Sequence, residues 1–458
     1  MSGIAGIARN GAAADVHRML DKISYRGPAG RELIETPQAT IGIVYNEYQK
    51  ELAKNLRRQL IVRDGLREHF AQAEAENGTL RISRDAVGVT PLYYSQTEQG
   101  ELCFASEVKA LIPACQNVVE FPPGHRFDGQ QMELVTRFQP GPLLSESPGW
   151  IVAELRRRMD QTVAEVVGDY DRVGVLLSGE LDSSVIAALA RHHTNVLTFT
   201  IGLDDAPALE GARTVANFIG TAHHEIRTSR QELIQVLPQV IYHLESFDAL
   251  LVRSSLIHFL IARKAAEHVP VVLVGEGADA LFAGHAAYQQ VPLDQLAALL
   301  FRGLQRMHSE GLQRVDRCSA AHGLLYAIPF LERNLADFAL RIPPGLKVRE
   351  GMEKWCLREA SKELLPELVR RKPKAKFWDS GGVREEIADW AQQSIPLEAF
   401  DRECILPNGW RIRTREELAY YRLFRDYFGP AADNPLWVGR TEGAPREGPI
   451  SRTYIPGS

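Results

Sequence analysis

The sequence predicts a strand-rich α+β domain followed by an α/β domain that is built on a parallel sheet and ends in a helical part. Three observations predict this fold class. The 458 residues are too many for one ordinary core, and their 45% apolar content is enough to fill two. Pro-, Gly- and Ser-rich residues 139–149 separate a turn-rich first part from helical spacing after Ile151. Strands and helices then alternate to about Leu281, as in a parallel sheet with right-handed crossovers.

These changes in composition give the domain boundaries. We place the first domain at residues 1–140, a linker at 141–150 and the second domain at 151–435. From Asp294 onward the pattern is mostly helical. The C-terminal tail, 436–458, is rich in Gly, Pro, Arg and Ser, so we expect it to be irregular or, alternatively, to act as a lid over the active site.

Composition excludes several classes of function. A net charge of −5 gives no reason to expect a nucleic acid or an anionic membrane as a partner. No apolar run approaches the length of a membrane span, and no signal peptide precedes Gly3. The cysteines are odd in number and lack metal-ligand spacing: Cys103, Cys115, Cys318, Cys356 and Cys404. We therefore expect reduced, buried thiols in a cytoplasmic protein.

The most informative feature is a turn of small residues directly after a buried strand. Residues 173–177 are apolar and β-branched, Ser178 and Gly179 follow, and Asp182 opens an alanine-rich helix. Backbone N–H groups at a helix start favour phosphate oxygens, and Asp182 is a hard oxygen ligand suited to Mg²⁺. The alternative is an ordinary strand–turn–helix unit in which Asp182 or Ser183 is the N-cap.

A second acidic turn supports the phosphate hypothesis. Residues 271–274 are again apolar, and Gly275, Glu276, Gly277 and Asp279 follow within five positions. Ligands of open α/β sheets collect at the carboxyl ends of the strands, so Asp182 and Asp279 are expected to converge on one metal ion. Two such turns rarely arise for packing reasons alone.

At these two loops the chain resembles the asparagine synthetase family, whose loops read Ser-Gly-Gly-Leu-Asp-Ser-Ser and Gly-Glu-Gly-Ala-Asp-Glu-Leu-Phe. The resemblance covers roughly residues 1–430. It includes the segments 198–202, 220–225, 253–255, 315–317, 321–323, 328–332, 354–358, 414–416 and 420–422. It implies an N-terminal sandwich similar to the Ntn hydrolases, here degenerate, followed by an ATP-pyrophosphatase domain. It also implies a homodimer.

The resemblance implies a reaction as well. A carboxylate attacks the α-phosphorus of ATP to give an acyl-adenylate and pyrophosphate, and an amine then expels AMP. The residues implied to hold ATP or pyrophosphate are Leu176, Ser178, Gly179, Asp182, Ser183, Ile201 and Gly275, and those implied to hold Mg²⁺ are Asp182 and Asp279.

Three further residues receive roles from the resemblance, each with an alternative. Lys374 would stabilise negative charge at the reacting centre, or belong to a solvated basic cluster. Glu276 would act as a base or orient the amine, or only bind metal or stabilise its loop. Arg253 would contact the substrate, or form a surface ion pair.

The N-terminal part departs from the family, in which a processed cysteine is the nucleophile of a glutaminase. Ser2 stands there instead, and a serine hydroxyl is scarcely ionised at neutral pH. Of the family's oxyanion segment, Asn46 alone remains in place. We predict a folded but inactive glutaminase remnant; the alternative is an N-terminal serine hydrolase.

Two departures bear on the reaction. Asparagine synthetases carry a glutamate at the position of Glu276, whereas β-lactam synthetases, which also lack the cysteine, carry a tyrosine there. Glu180 replaces the second glycine of the first loop, so its side chain must turn away or the loop is impaired.

The resulting prediction is an ATP- and Mg²⁺-dependent, AMP-forming carboxylate–amine ligase without glutaminase activity, in specialised metabolism such as antibiotic or natural-product biosynthesis. Its partners would be a small carboxylate and an amine: ammonia, an external amine or the substrate's own amine. The alternatives are intramolecular lactam formation and a non-catalytic regulatory or scaffold role.

Overall fold

The computed structural model describes residues 2–76, 79–168, 170–203, 206–372, 383–434 and 436–438. Within these residues the chain forms an antiparallel first domain and a parallel second domain, and buried ion pairs join the two.

The first domain contains two antiparallel sheets, with strand orders β2-β3-β1-β8-β7-β9 and β11-β10-β6-β5-β4. Its strands are β1 (Gly3–Ile7), β2 (Gly30–Glu35), β3 (Thr40–Tyr45), β4 (Ile61–Leu66), β5 (His69–Glu76), β6 (Thr79–Arg84), β7 (Tyr93–Gln96), β8 (Leu102–Ala105), β9 (Gln116–Glu120), β10 (His125–Phe127) and β11 (Met132–Leu134), and its helices are α1 (Ala13–Lys22), α2 (Lys50–Arg57) and α3 (Val108–Leu111). Ile4 and Ile43 of one sheet share a buried cluster with Val62 and Ile82 of the other. The two sheets therefore pack face to face, as the α+β prediction requires.

The second domain has a five-stranded parallel sheet in the order β14-β13-β12-β15-β16. Its strands are β12 (Arg172–Leu176), β13 (Asn195–Gly202), β14 (Ala222–Arg227), β15 (Val271–Leu273) and β16 (Leu325–Ala327). The connecting helices are α4 (Pro148–Val167), α5 (Leu181–Ala190), α6 (Pro207–Ile219), α7 (Arg230–Leu244), α8 (Ala249–Ala266), α9 (Ala278–Phe282), α10 (Leu293–Arg306) and α11 (Gly311–Ala320). Because β12 is central, the turns after β12 and β15 meet at one edge of the sheet.

The C-terminal part after β16 is helical, as predicted. It contains α12 (Arg333–Arg341), α13 (Pro344–Lys347), α14 (Trp355–Ala360), α15 (Glu367–Arg370), α16 (Val383–Ser394), α17 (Leu397–Glu403) and α18 (Arg415–Phe428). At the start of the predicted tail, buried Trp437 packs against the rings of Phe424 and Phe428. Residues 439–458 lie outside the described residues, so the prediction for the rest of the tail remains a prediction.

Two predicted boundaries differ from the structure. Helix α4 begins at Pro148 rather than Ile151, because the Ser147 hydroxyl accepts the Trp150 N–H (3.3 Å) as N-cap and proline suits the first helical turn. The expectation that strands end before Leu281 is wrong, since β16 adds a strand beyond β15. This strand has three residues, too few to show a period.

The five cysteines are free thiols, and four of them are buried. The expectation of a buried thiol is wrong for Cys404, which is partly exposed. Among the helices that the structure describes, none has the length and apolar character needed to cross a membrane.

Candidate active site

The first loop connects β12 to α5 and brings the backbone of residues 178–180 close to α6. Gly179 has φ +73°, and a Cβ there would lie 2.4 Å from the carbonyl carbon of Gly211 and 2.5 Å from the nitrogen of Ala212. Only glycine therefore permits this approach. The Ser178 N–H donates to Ser183 Oγ (3.1 Å), and the two serine hydroxyls lie 3.0 Å apart. The loop thus holds two hydroxyl groups beside the start of a helix.

Helix α5 begins without a side-chain cap. Its N-cap is Glu180, whose side chain accepts no capping hydrogen bond, so the alternative with Asp182 or Ser183 as N-cap is wrong. Asp182 lies in the first turn and is 6% exposed. The first backbone N–H groups of α5 have no partner within the helix, which suits an anion at this end.

The second loop, between β15 and α9, touches the first. A Cβ on Gly275 would lie 3.0 Å from both Asp182 Cβ and the Ser183 nitrogen, so this glycine allows the contact. Gly277, at φ +94°, turns the chain into α9, which carries Asp279 in its first turn. The two loops that carry Asp182 and Asp279 are therefore in contact.

The two carboxylates meet at Lys354, a residue to which the sequence analysis assigned no role. Its Nζ lies 2.7 and 2.5 Å from the two carboxylate oxygens of Asp182 and 2.5 Å from Asp279 Oδ1. Lys354 is buried and adopts a left-handed conformation (φ +56°) just before α14. A buried ammonium needs such carboxylates to offset the loss of its hydration.

The donor set around these acids bears on the predicted Mg²⁺ site. In the described part of the chain, no group of three or more His, Cys, Asp or Glu side chains is arranged to hold a metal ion. Mg²⁺ is commonly bound by one or two carboxylates together with water and substrate phosphates, so Asp182 and Asp279 fit this ion when a phosphate ligand completes the shell. The Lys354 ammonium contacts both carboxylates and would share them with the metal.

Glu276 and Arg253, two other predicted site residues, are both ion-paired. Glu276 Oε1 contacts the guanidinium of Arg314 on α11, and their side chains are 22% and 17% exposed. Arg253 Nε donates to Glu416 Oε1 (2.7 Å) on α18, where Glu416 is 3% exposed. The structure thus gives Arg253 the ion pair that was the alternative to a substrate contact, although this pair is largely buried.

Three other predicted site residues are Leu176, Ile201 and Lys374. Leu176 ends β12 opposite Phe199, and Ile201 follows two residues further along β13, so both lie at the edge of the sheet that carries the two loops. Lys374 lies outside the described residues. Lys372, the last described residue before it, lines a cleft of about 640 Å³ with Gly179 and Gly211.

In the first domain, Ser2 is fully buried. Its hydroxyl donates to Asp64 Oδ1 (3.0 Å), and Arg26 donates to the Ser2 carbonyl oxygen (2.7 Å) and to Asp64 Oδ2 (2.9 Å). Burial raises the pKa of Asp64, although Arg26 opposes this effect. Asn46, the remaining residue of the oxyanion segment, accepts the N–H of Gln49 (3.2 Å) as the cap of a short helix.

Arg26 also joins the two domains. Its guanidinium donates to Glu107 Oε1 (2.7 Å) and to both carboxylate oxygens of Asp316 on α11 (2.9 Å each). Burial acts to raise the pKa of Glu107, but Lys109, Arg317 and Arg26 hold it well below its usual value. We refer to Arg26, Asp64, Glu107 and Asp316 as the interface cluster.

Comparisons with known proteins agree with this geometry. The family model described as asparagine synthase matches residues 154–297 and 292–428, and one described as a glutamine amidotransferase domain matches 64–128. The chain is 32% identical over 381 residues to a probable glutamine-hydrolyzing asparagine synthetase of Dictyostelium discoideum, covering 75% of this chain and 68% of that protein. It is 33% identical over 383 residues to asparagine synthetase B of Escherichia coli, covering 78% and 69%.

Proposed function

The chain belongs to the asparagine synthase family, and from this we propose that it joins a small carboxylate to an amine through an acyl-adenylate without hydrolysing glutamine. Members of this family are ATP-dependent ligases that form an amide bond and release AMP, and the chain is an enzyme of this class. The observation that carries the proposal is the convergence of Asp182, Asp279 and Lys354 beside the first loop.

The first loop supplies what the triphosphate of ATP needs. The first-turn amides of α5 and the hydroxyls of Ser178 and Ser183 are donors for phosphate oxygens. Leu176, Ile201 and Gly275 would border the nucleotide, and the ammonium of Lys354 would attract its phosphates. Lys374 is proposed to stabilise the charge that develops at the α-phosphorus during carboxylate attack.

Asp182 and Asp279 are proposed to hold Mg²⁺ when ATP is bound. The ion would neutralise phosphate charge and so favour pyrophosphate as the leaving group. The protein's own contribution is alignment, because Lys354 contacts both carboxylates and holds them next to each other beside the first loop.

Glu276 is proposed to orient the amine or accept its proton. Arg314 binds one of its carboxylate oxygens and so sets the direction of the other. The amine would be ammonia, an external amine or an amine of the substrate itself. In the last case the product would be a lactam.

Loss of glutaminase activity is proposed from the surroundings of Ser2. Its hydroxyl donates to the carboxylate of Asp64, and Arg26, which binds the Ser2 carbonyl, is saturated by the interface cluster. A hydroxyl buried in this arrangement has no access to a substrate. We accordingly propose that the first domain is a glutaminase-like, Ntn-type remnant, and that the enzyme acts in specialised metabolism in the cytoplasm.

The proposal is tested by incubating the protein with ATP, Mg²⁺ and a panel of carboxylates, with and without ammonium or glutamine, while pyrophosphate, glutamate and product mass are recorded. Release that needs ammonium, with amino replacing hydroxyl in the product, supports intermolecular amidation. Release without ammonium and with loss of water supports ring closure. Glutamate formed from glutamine would refute the loss of glutaminase activity.

A matched pair of variants separates catalysis from folding. Asp279→Ala should abolish pyrophosphate release, whereas Asp294→Ala, which removes the same charge from an exposed position on α10, should leave it unchanged. If no carboxylate gives release and the wild-type protein binds no ATP, the non-catalytic scaffold alternative is correct.

A further inference from the structure

Glu180 places a carboxylate in the phosphate loop, where the family sequence has glycine. The structure shows how this charge is accommodated. The side chain is 8% exposed, and its Oε1 lies 2.9 Å from Nζ of Lys372.

Lys372 is held in place from its backbone as well. Arg358 Nη1 donates to the Lys372 carbonyl oxygen (3.0 Å) and also contacts the carbonyl oxygen of Arg370. Arg358 is itself buried and bound to Glu353, through Nε to the carbonyl oxygen (2.7 Å) and through Nη2 to Oε1 (2.5 Å). Because Glu353 directly precedes Lys354, the chain that positions Lys372 begins beside the two acids of the active site.

The ammonium of Lys372 is close to the bend of the loop. It lies 3.5 Å from the point that a Cβ on Gly211 would occupy, and Gly179 Cα lies 3.7 Å from the same point. Its side chain is 36% exposed and lines the 640 Å³ cleft. An ammonium has three N–H donors, so a bond to Glu180 does not exhaust its capacity for phosphate oxygens.

We propose that Glu180 is a positioning residue that holds Lys372 at the phosphate loop, where the Lys372 ammonium binds the phosphate chain of ATP. This inference rests on the proposed function and assigns Lys372 a role in nucleotide binding. Glu180 and Lys372 carry opposite charges, so the carboxylate attracts the ammonium to the loop.

The effect of Glu180 on ATP binding should therefore depend on Lys372, and this dependence can be measured. In the wild-type background, Glu180→Gln releases Lys372 and should raise the Kd for ATP about 3- to 5-fold. Lys372→Met removes the ammonium itself and should raise the Kd about 10- to 30-fold. In the Lys372→Met background, Glu180→Gln has no lysine to release and should leave the Kd within about 2-fold. An effect of Glu180→Gln that is present only while Lys372 is present distinguishes positioning from a merely structural ion pair.

The measurement is a calorimetric titration of the full chain with Mg-ATP, without a carboxylate substrate, so that it does not depend on turnover. Glu367→Gln is the matched control: this glutamate lines the same cleft but pairs with Arg371 (2.7 Å) instead of the loop, and its variant should bind ATP as the wild type does. Lys372→Arg, which keeps the cation, should remain within about 2-fold of the wild type. Thermal unfolding of each variant checks that it is folded.

Each contrary outcome has a distinct meaning. If Glu180→Gln tightens ATP binding in the wild-type background, Glu180 restrains the loop and the inference is overturned. The inference also fails if Glu180→Gln weakens binding, or has no effect, in both backgrounds. In those cases wild-type ATP binding still supports the proposed function. Absence of ATP binding by the wild type overturns both.

Discussion

The interface cluster and the group formed by Lys354, Asp182 and Asp279, which we call the Lys354 site, both consist of a cation among carboxylates. They differ in how far their side chains are exposed to solvent. Arg26, Asp64, Glu107 and Asp316 are at most 1% exposed, and their charges are directed at one another. At the Lys354 site the Asp182 side chain is 9% exposed and that of Asp279 is 29% exposed. A charge cluster closed to water stabilises the fold, whereas one with an open carboxylate can exchange a partner for a ligand.

The largest expected effect tests the closed cluster. Asp316→Asn removes a charge that binds Arg26 through both oxygens and accepts the Tyr326 hydroxyl, so the buried guanidinium between the domains would lose one of its three carboxylate partners. We expect a loss of about 3 to 5 kcal/mol in the free energy of unfolding, measured by urea titration. Asp337→Asn is the control, because its pair with Arg333 is exposed (3.8 Å) and should contribute less than about 1 kcal/mol. Equal losses in both variants would contradict this reading of the cluster.

The open site should show the opposite pattern. Asp279→Asn keeps the shape of the side chain but removes the charge, so pyrophosphate release should fall by roughly 100-fold or more. The free energy of unfolding should change by less than about 1 kcal/mol, because Asp182 still pairs with Lys354. Steady-state kinetics and urea titration on the same preparation measure both. A variant that loses stability as Asp316→Asn does, but keeps its activity, would show that the two clusters do not differ in kind.

The ion pair of Arg253 is intermediate in burial between the interface cluster and an exposed surface pair. Its side chain is 13% exposed and its partner Glu416 is 3% exposed, so Arg253→Met should cost about 2 kcal/mol of stability and change the KM for the carboxylate less than 2-fold. Arg263→Met is the matched control on the same helix, since its pair with Glu232 (2.6 Å) is exposed and should contribute little. A raised KM with unchanged stability would restore the sequence-based role of Arg253 in substrate binding.

The parts of the site that the sequence could predict are local ones. Each phosphate-side loop is a short run of small and acidic residues after an apolar strand, so Ser178, Gly179 and Asp182 could be recognised from spacing alone. The fold class could be predicted for the same reason, because alternating strands and helices are a local pattern. The three-residue strand β16 was missed because it is too short to show a period.

The missing parts are contacts between distant segments. Lys354 is 172 residues from Asp182, and Asp316 is 290 residues from Arg26, so no spacing rule relates them. Lys372, which follows α15, is likewise distant in sequence from Glu180. The sequence shows a negative charge at Glu180 in the loop, but only the fold shows that Lys372 is a cation that pairs with it.

A buried group without a carboxylate partner gives the smallest expected effect. Burial, together with Arg314 and His322, lowers the pKa of His258 to about 3, and His258 Nε2 has no hydrogen-bond partner among the described residues. Between about pH 6.5 and 3 the unfolded chain binds a proton here that the folded chain does not, so the contribution of His258 to stability falls as pH falls through this window. From pH 7 to 5.5 this loss is about 1 kcal/mol. His258→Met should reduce the measured pH dependence by that amount, whereas His17→Gln, at an exposed position of α1, should not. If His258→Met keeps the pH dependence of the wild type, His258 is protonated in the folded chain as well. A buried cation at this position would then need no carboxylate partner, in contrast to Arg26 and Lys354.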